Sequence, residues 1–162
     1  MGSTAGTKSA QNAPEYRSRH KLRTLVVDDS LTILHAICSL LEHHEIVDVI
    51  GRAESGAETI DVVLNLCPEL VLIDADMPGM NGLRASLLLA QISPGTKVVL
   101  MSMDTSPQFR GACSGCGAYG VIYKPKFLSE LTQLLEIAPL REGHKSFPSP
   151  RRKTARAITI MR

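Results

Sequence analysis

Five short apolar runs recur along the chain, and each interval between them has room for one helix: "TLVV" (24–27), "VDVI" (47–50), "LVLI" (70–73), "VVLM" (98–101) and "GVIY" (120–123). Three of the runs are almost continuously apolar, as strands covered on both faces are. The intervals carry helical periodicity. Leu34, Ile37, Cys38 and Leu41 follow an i, i+3, i+4, i+7 spacing, and so do Ile60, Val63, Leu64 and Cys67. Ser55 with Glu58 forms a capping box at the start of the second helix. Leu83, Leu87 and Leu88 mark a third helix, halted by "SPG" at 93–95. Ser106–Pro107 opens a fourth, with Pro in the first turn, and Phe127, Leu131, Leu134 and Leu135 mark a fifth. Strands that alternate strictly with helices predict a doubly wound α/β domain. It has a five-stranded parallel sheet, five helices on its two faces and right-handed crossovers.

Ligands of such a sheet bind at the carboxyl ends of its strands. The first strand ends in Asp28, Asp29 and Ser30, the third in Asp74, Ala75 and Asp76, the fourth in Ser102, Met103 and Asp104, and the fifth in Lys124 and Pro125. The second offers only Gly51 and Arg52. Carboxylates gathered at one edge repel one another, and a cation resolves the conflict. A set of oxygen ligands without His or Cys suits a hard ion. A shallow open site suits Mg²⁺, which keeps waters and accepts phosphate as a co-ligand. A lysine opposite the ion neutralises a phosphoryl group, a serine hydroxyl bonds one of its oxygens, and a carboxylate remains as nucleophile for an acyl phosphate. Each group alone has a plain structural explanation, such as a helix cap, a strand end or a turn. Their coincidence at one edge favours phosphoryl chemistry.

Charge divides the chain. Residues 24–140 carry a net −8, and the segments 1–23 and 141–162 together carry +10. The terminal segments are rich in Ser, Thr, Pro, Ala and Gly and lack apolar periodicity. They read as disordered basic tails (1–21 and 139–162) around one domain at 22–138. No run approaches a membrane span and no signal-peptide core is present, so a cytoplasmic protein is expected. Cys38 and Cys67 read as small core residues. The C-x-x-C of Cys113 and Cys116 has no second pair and no nearby His to complete a zinc site.

Taken in order, "TLVVDDS", "LVLIDADMPGMNG", "VVLMS" and "GVIYKP" resemble the receiver domain of two-component response regulators, most of all receivers that precede LuxR-type DNA-binding domains. The resemblance covers about residues 22–138 and implies a flavodoxin-like fold with sheet order 2-1-3-4-5. Carried over by motif, it makes Asp74 of D-x-x-M-P the phosphoacceptor. Asp28, Asp29 and Asp74, with the backbone carbonyl of Asp76, become the ligands of Mg²⁺ or Mn²⁺. Ser102 matches the switch hydroxyl, Lys124 the lysine of the site, and the bond to Pro125 is expected to be cis. The implied partners are a sensor histidine kinase or phosphotransfer protein and a downstream protein effector, with homodimerisation on phosphorylation. The implied chemistry is self-phosphorylation and self-dephosphorylation only, so the chain is expected to be a signalling protein and not an enzyme.

Three departures stand out. Val121 occupies the place where the family usually has Tyr or Phe, the ring that reports phosphorylation. Met103 follows the switch serine, where a small residue is usual. The segment "SPQFRGACSGCG" carries three glycines, so output through a change of order in residues 103–118 is the expectation. Rival readings fit less well. A haloacid-dehalogenase-type D-x-D follows the first strand, whereas Asp74 and Asp76 follow the third. "DDSLTI" is too acidic for a flavodoxin phosphate loop. A phosphorylation-independent module would not need the full acid set. A helix-turn-helix needs about 60 residues and 22 follow Leu140, so no specific DNA binding is expected.

Overall fold

The third apolar run becomes the centre of the molecule: Leu70–Asp74 is buried at every residue. The computed structural model describes residues 20–137. The elements are β1 (Leu22–Val27), α1 (Leu31–Leu41), β2 (Val47–Ala53), α2 (Gly56–Leu66), β3 (Leu70–Asp74), α3 (Gly82–Ile92), β4 (Lys97–Ser102), α4 (Pro107–Gly115), β5 (Gly120–Tyr123) and α5 (Phe127–Ile137). A 3₁₀ turn at Lys124–Lys126 leads into α5. The strands are parallel, as expected from the alternation, and lie in the order β2-β1-β3-β4-β5, the one the receiver resemblance implies. Residues 1–19 and 138–162, which hold nearly all of the two basic tails, fall outside the described residues.

Successive strand side chains alternate between two cores. Val26, Leu70, Leu72, Val99, Met101 and Ile122 meet α1 and α5 on one face. Leu25, Val27, Val71, Ile73, Val98 and Leu100 meet α2, α3 and α4 on the other. Each of these buried aliphatic side chains contributes on the order of 1.5–3 kcal/mol. Pairing of Val27 with Ile73, Asp74 with Met101, and Ser102 with Tyr123 then fixes which residues finish at the same edge.

The helix faces agree with their periodicity in part. Leu34, Ile37, Cys38 and Leu41 are buried as expected. In α2 the Ser55 hydroxyl accepts from the Glu58 N–H at 3.2 Å, while Leu64 is 57% exposed and Cys67 stands in solvent. The buried face of α2 runs through Gly56, Thr59 and Val63, which leaves Leu64 outside it, and the helix stops at Cys67 ahead of Pro68. The residue before a proline avoids the helical region, and Cys67 leaves the helix with a left-handed φ of 47°. In α3 the sheet-facing residues are Gly82, Ala85, Ser86 and Leu89, and Leu87 points outward. A Cβ on Gly82 would lie 2.2 Å from the Asp74 carbonyl oxygen, so the helix seats directly on the end of β3 and its rotation is fixed there. The glycine-rich fourth segment does form a helix. Gly111 and Gly115 face open space, and Gly117 ends the element at φ 75°. Cys113 and Cys116 point into the core as free thiols, and burial pushes the Cys113 thiol up.

The peptide bond to Pro125 is trans, against the expectation, and no bond among the described residues is cis. Pro125 lies in the first turn of the 3₁₀ segment, where its fixed φ suits the turn and its missing N–H is not needed, so a trans bond suffices.

Candidate functional site

Asp28 stands one residue beyond β1 and is wholly buried. Its Oδ1 accepts the Ser30 N–H at 3.0 Å and its Oδ2 accepts the Lys124 ammonium at 2.8 Å. Asp74, 6% exposed, ends β3. Its Oδ2 lies 3.0 Å from Lys124 Nζ, and its Oδ1 accepts the Asp76 N–H at 3.3 Å. Asp29 is exposed at the mouth, and Asp28, Asp29 and Asp74 each bring an oxygen within 4.8 Å of the others. Lys124 is drawn into the cluster from one residue beyond β5. Burial works to lower its ammonium pKa, but hydrogen bonds and charge from Asp28 and Asp74 outweigh burial and hold it above the usual lysine value. The three acids offer oxygen donors only, converge tightly and include one solvent-facing member, a set that fits a hard divalent cation.

Ser102 is fully buried at the end of β4. Its hydroxyl donates to Asp76 Oδ2 at 3.5 Å and accepts from the Asp104 N–H at 2.9 Å. Asp76 is exposed, and its side chain reaches Ser102 and not the acid pair. Met103 is 62% exposed. Val121 lines a cleft of about 330 Å³ between α4 and α5 together with Asp104, Arg110 and Tyr123. A larger hollow of about 540 Å³ lies at the edge strand β2 beside Cys38 and Arg52, away from the carboxylates, which occupy a shallow surface site.

The structure thus brings together Asp28, Asp29, Asp74 and Lys124, with Ser102 and Asp76 adjoining. Sequence reasoning gave no role to Asp104, whose carboxylate caps the turn before α4, or to Glu130, which accepts the Tyr123 N–H at 2.7 Å. The string Asp104-x-Ser106-Pro107, an acid two residues before a helix cap, carried the signal for the first.

A parallel doubly wound domain with acids, a buried hydroxyl and a lysine at the carboxyl edge defines a class of signalling receiver. A family model described as the response regulator receiver domain matches residues 24–136, and the chain belongs to that family. It is 33% identical over 116 residues to the response regulator GacA of Pseudomonas viridiflava, covering 72% of this chain and 54% of that protein. It is 35% identical over 123 residues to protein-glutamate methylesterase/protein-glutamine glutaminase 3 of Geobacter sulfurreducens, covering 75% and 32%. The response regulator domain of Thermotoga maritima CheB superposes with a TM-score of 0.65 at 26% identity, covering 80% of this chain and 100% of that one. The chain therefore spans about half, or less, of the length of the curated relatives it matches. No helix among the described residues is long and apolar enough to cross a membrane.

Proposed function

We propose that the chain is the phosphoacceptor of a two-component phosphorelay and that Asp74 takes the phosphoryl group. The observation that carries this reading is the position of Asp74. It is a nearly buried carboxylate held 3.0 Å from Lys124 Nζ, with the Asp28 and Asp29 oxygens within 4.8 Å. A carboxylate oxygen of Asp74 attacks the phosphorus of a phosphohistidine, and an acyl phosphate forms. The P–N bond breaks, and its electron pair stays on the imidazole nitrogen, which takes a proton. Lys124 carries its ammonium from the Asp74 carboxylate to a phosphoryl oxygen, offsetting the added charge. Ser102 turns its hydroxyl from Asp76 to another phosphoryl oxygen. Asp28, Asp29 and Asp74, with the Asp76 carbonyl, would hold Mg²⁺ or Mn²⁺. When bound, the ion supplies positive charge beside the transferring group. The exposed Asp76 carboxylate, freed from Ser102, tunes how long the acyl phosphate lasts.

On this reading the donor is a sensor histidine kinase or phosphotransfer protein and the output is a protein effector, with homodimerisation on phosphorylation. The chemistry is confined to the chain's own aspartate, in a cytoplasmic protein. Purified protein incubated with acetyl phosphate and Mg²⁺ is expected to gain one hydroxylamine-labile phosphoryl group, mapped to Asp74 by mass spectrometry, and to gain none when EDTA is present. Full labelling in EDTA would overturn the assignment of the acids to a metal.

A further inference from the structure

A run of hydrogen bonds leads from Ser102 to the first turn of α4. The Ser102 hydroxyl oxygen accepts the Asp104 N–H at 2.9 Å. The Asp104 carboxylate holds Ser106 with both oxygens: Oδ1 accepts its N–H at 2.7 Å and Oδ2 its hydroxyl at 3.1 Å. Ser106 Oγ then accepts the Phe109 N–H at 3.2 Å, as the N-cap of α4. The helix so capped packs lightly, through Cys113 and the partly buried Phe109. It spans nine residues, buries only Cys113, and contains Gly111 and Gly115 with open space around both. Val121 supplies no aromatic ring to couple the site to this face.

We propose that Asp104 is the positioning residue that couples Ser102 to the order of α4, so that α4 loosens when Ser102 turns to the phosphoryl group. The inference rests on the reading of Asp74 and Ser102 given above. A serine oxygen that swings toward Asp74 withdraws from the Asp104 N–H. The Asp104 turn then relaxes, its carboxylate leaves Ser106, and the helix loses the arrangement that capped it. Asp104 and Arg110 also border the cleft at Val121, so the same movement reshapes that cleft.

The test is amide exchange at Asp104, Ser106 and Phe109, followed by NMR with and without beryllofluoride and Mg²⁺. In the parent protein exchange at these amides is expected to quicken about fivefold, the equivalent of one lost N-cap. In Asp104→Ala the residue 104 amide still responds, because its bond to Ser102 is made by the backbone, but the Ser106 and Phe109 amides exchange fast in both states and change by less than about twofold, with acetyl phosphate labelling as in the parent. Asp104→Asn keeps an acceptor oxygen for the Ser106 N–H and restores most of the response. Circular dichroism confirms that both variants are folded. A parent-sized response of the Ser106 and Phe109 amides in Asp104→Ala, with labelling intact, would overturn the coupling alone. Absence of label and of beryllofluoride binding in the parent protein would overturn the acceptor reading and the coupling with it.

Discussion

Asp74→Asn is expected to take up no phosphoryl group from acetyl phosphate while staying folded. An amide oxygen is a poor nucleophile and cannot form the acyl phosphate, so labelling falls to background rather than by a fraction. The fold survives for a separate reason. Asn fills the same volume, its single oxygen keeps one of the two bonds that Oδ1 and Oδ2 make to the Asp76 N–H and to Lys124, Lys124 keeps Asp28, and one of three crowded negative charges is gone. Relief of that repulsion should leave stability unchanged or raise it by about 1 kcal/mol. Urea unfolding and intact-mass labelling on the same preparation separate the two effects. Label persisting in this variant would move the acceptor elsewhere, and Asp76 would be the first position to map.

Lys124→Met is expected to carry the largest stability loss of any single change at the site. The Lys124 side chain is 13% exposed and bridges Asp28 and Asp74, whose side chains are 0% and 8% exposed. Methionine keeps the length and apolar body of the stem but leaves two buried carboxylates facing each other. Breaking a buried pair in this way costs about 3–5 kcal/mol. In metal-free buffer the urea midpoint should fall accordingly, and labelling should fall with it. Non-additivity sharpens the test. In Lys124→Met with Asp74→Asn, only one carboxylate remains to be left unpaired, so the double variant should be more stable than the single lysine variant. A loss under about 1 kcal/mol in the single variant would place this contact with solvent-screened surface pairs.

The site was legible in the sequence because its residues are punctuation. Each acid, the serine and the lysine interrupts an apolar run at a strand end; the alternation with helices gave the parallel sheet, and the order of its strands came from the receiver resemblance alone. What the sequence hid was rotational and local. The leucines of α3 suggest a face that includes Leu87, but the contact of Gly82 with the backbone of Asp74 turns that face outward. Periodicity cannot report a close backbone approach. Cys67 continued the α2 stripe on paper and was removed from it by Pro68. The trans bond at Pro125 follows from the 3₁₀ turn around it, which the string Lys-Pro-Lys does not announce. Asp104 was visible as a residue, but its role needed the sight of Ser102 and Ser106 on either side of it.

The thinness of α4 has a consequence for signal quality. Gly111, inside the helix, makes it about 1 kcal/mol easier to open than alanine at the same place, which is roughly a fivefold larger open fraction at equilibrium; Gly115 is its last residue. In an element weakened in this way, the loss of a single hydrogen bond produces a larger redistribution of states than in a firmly packed helix. The same weakness means that unstimulated molecules visit the signalling arrangement on their own. On the coupling proposed above, a receiver built this way would gain sensitivity to a weak input and carry a standing background output, which its partner would have to tolerate or suppress.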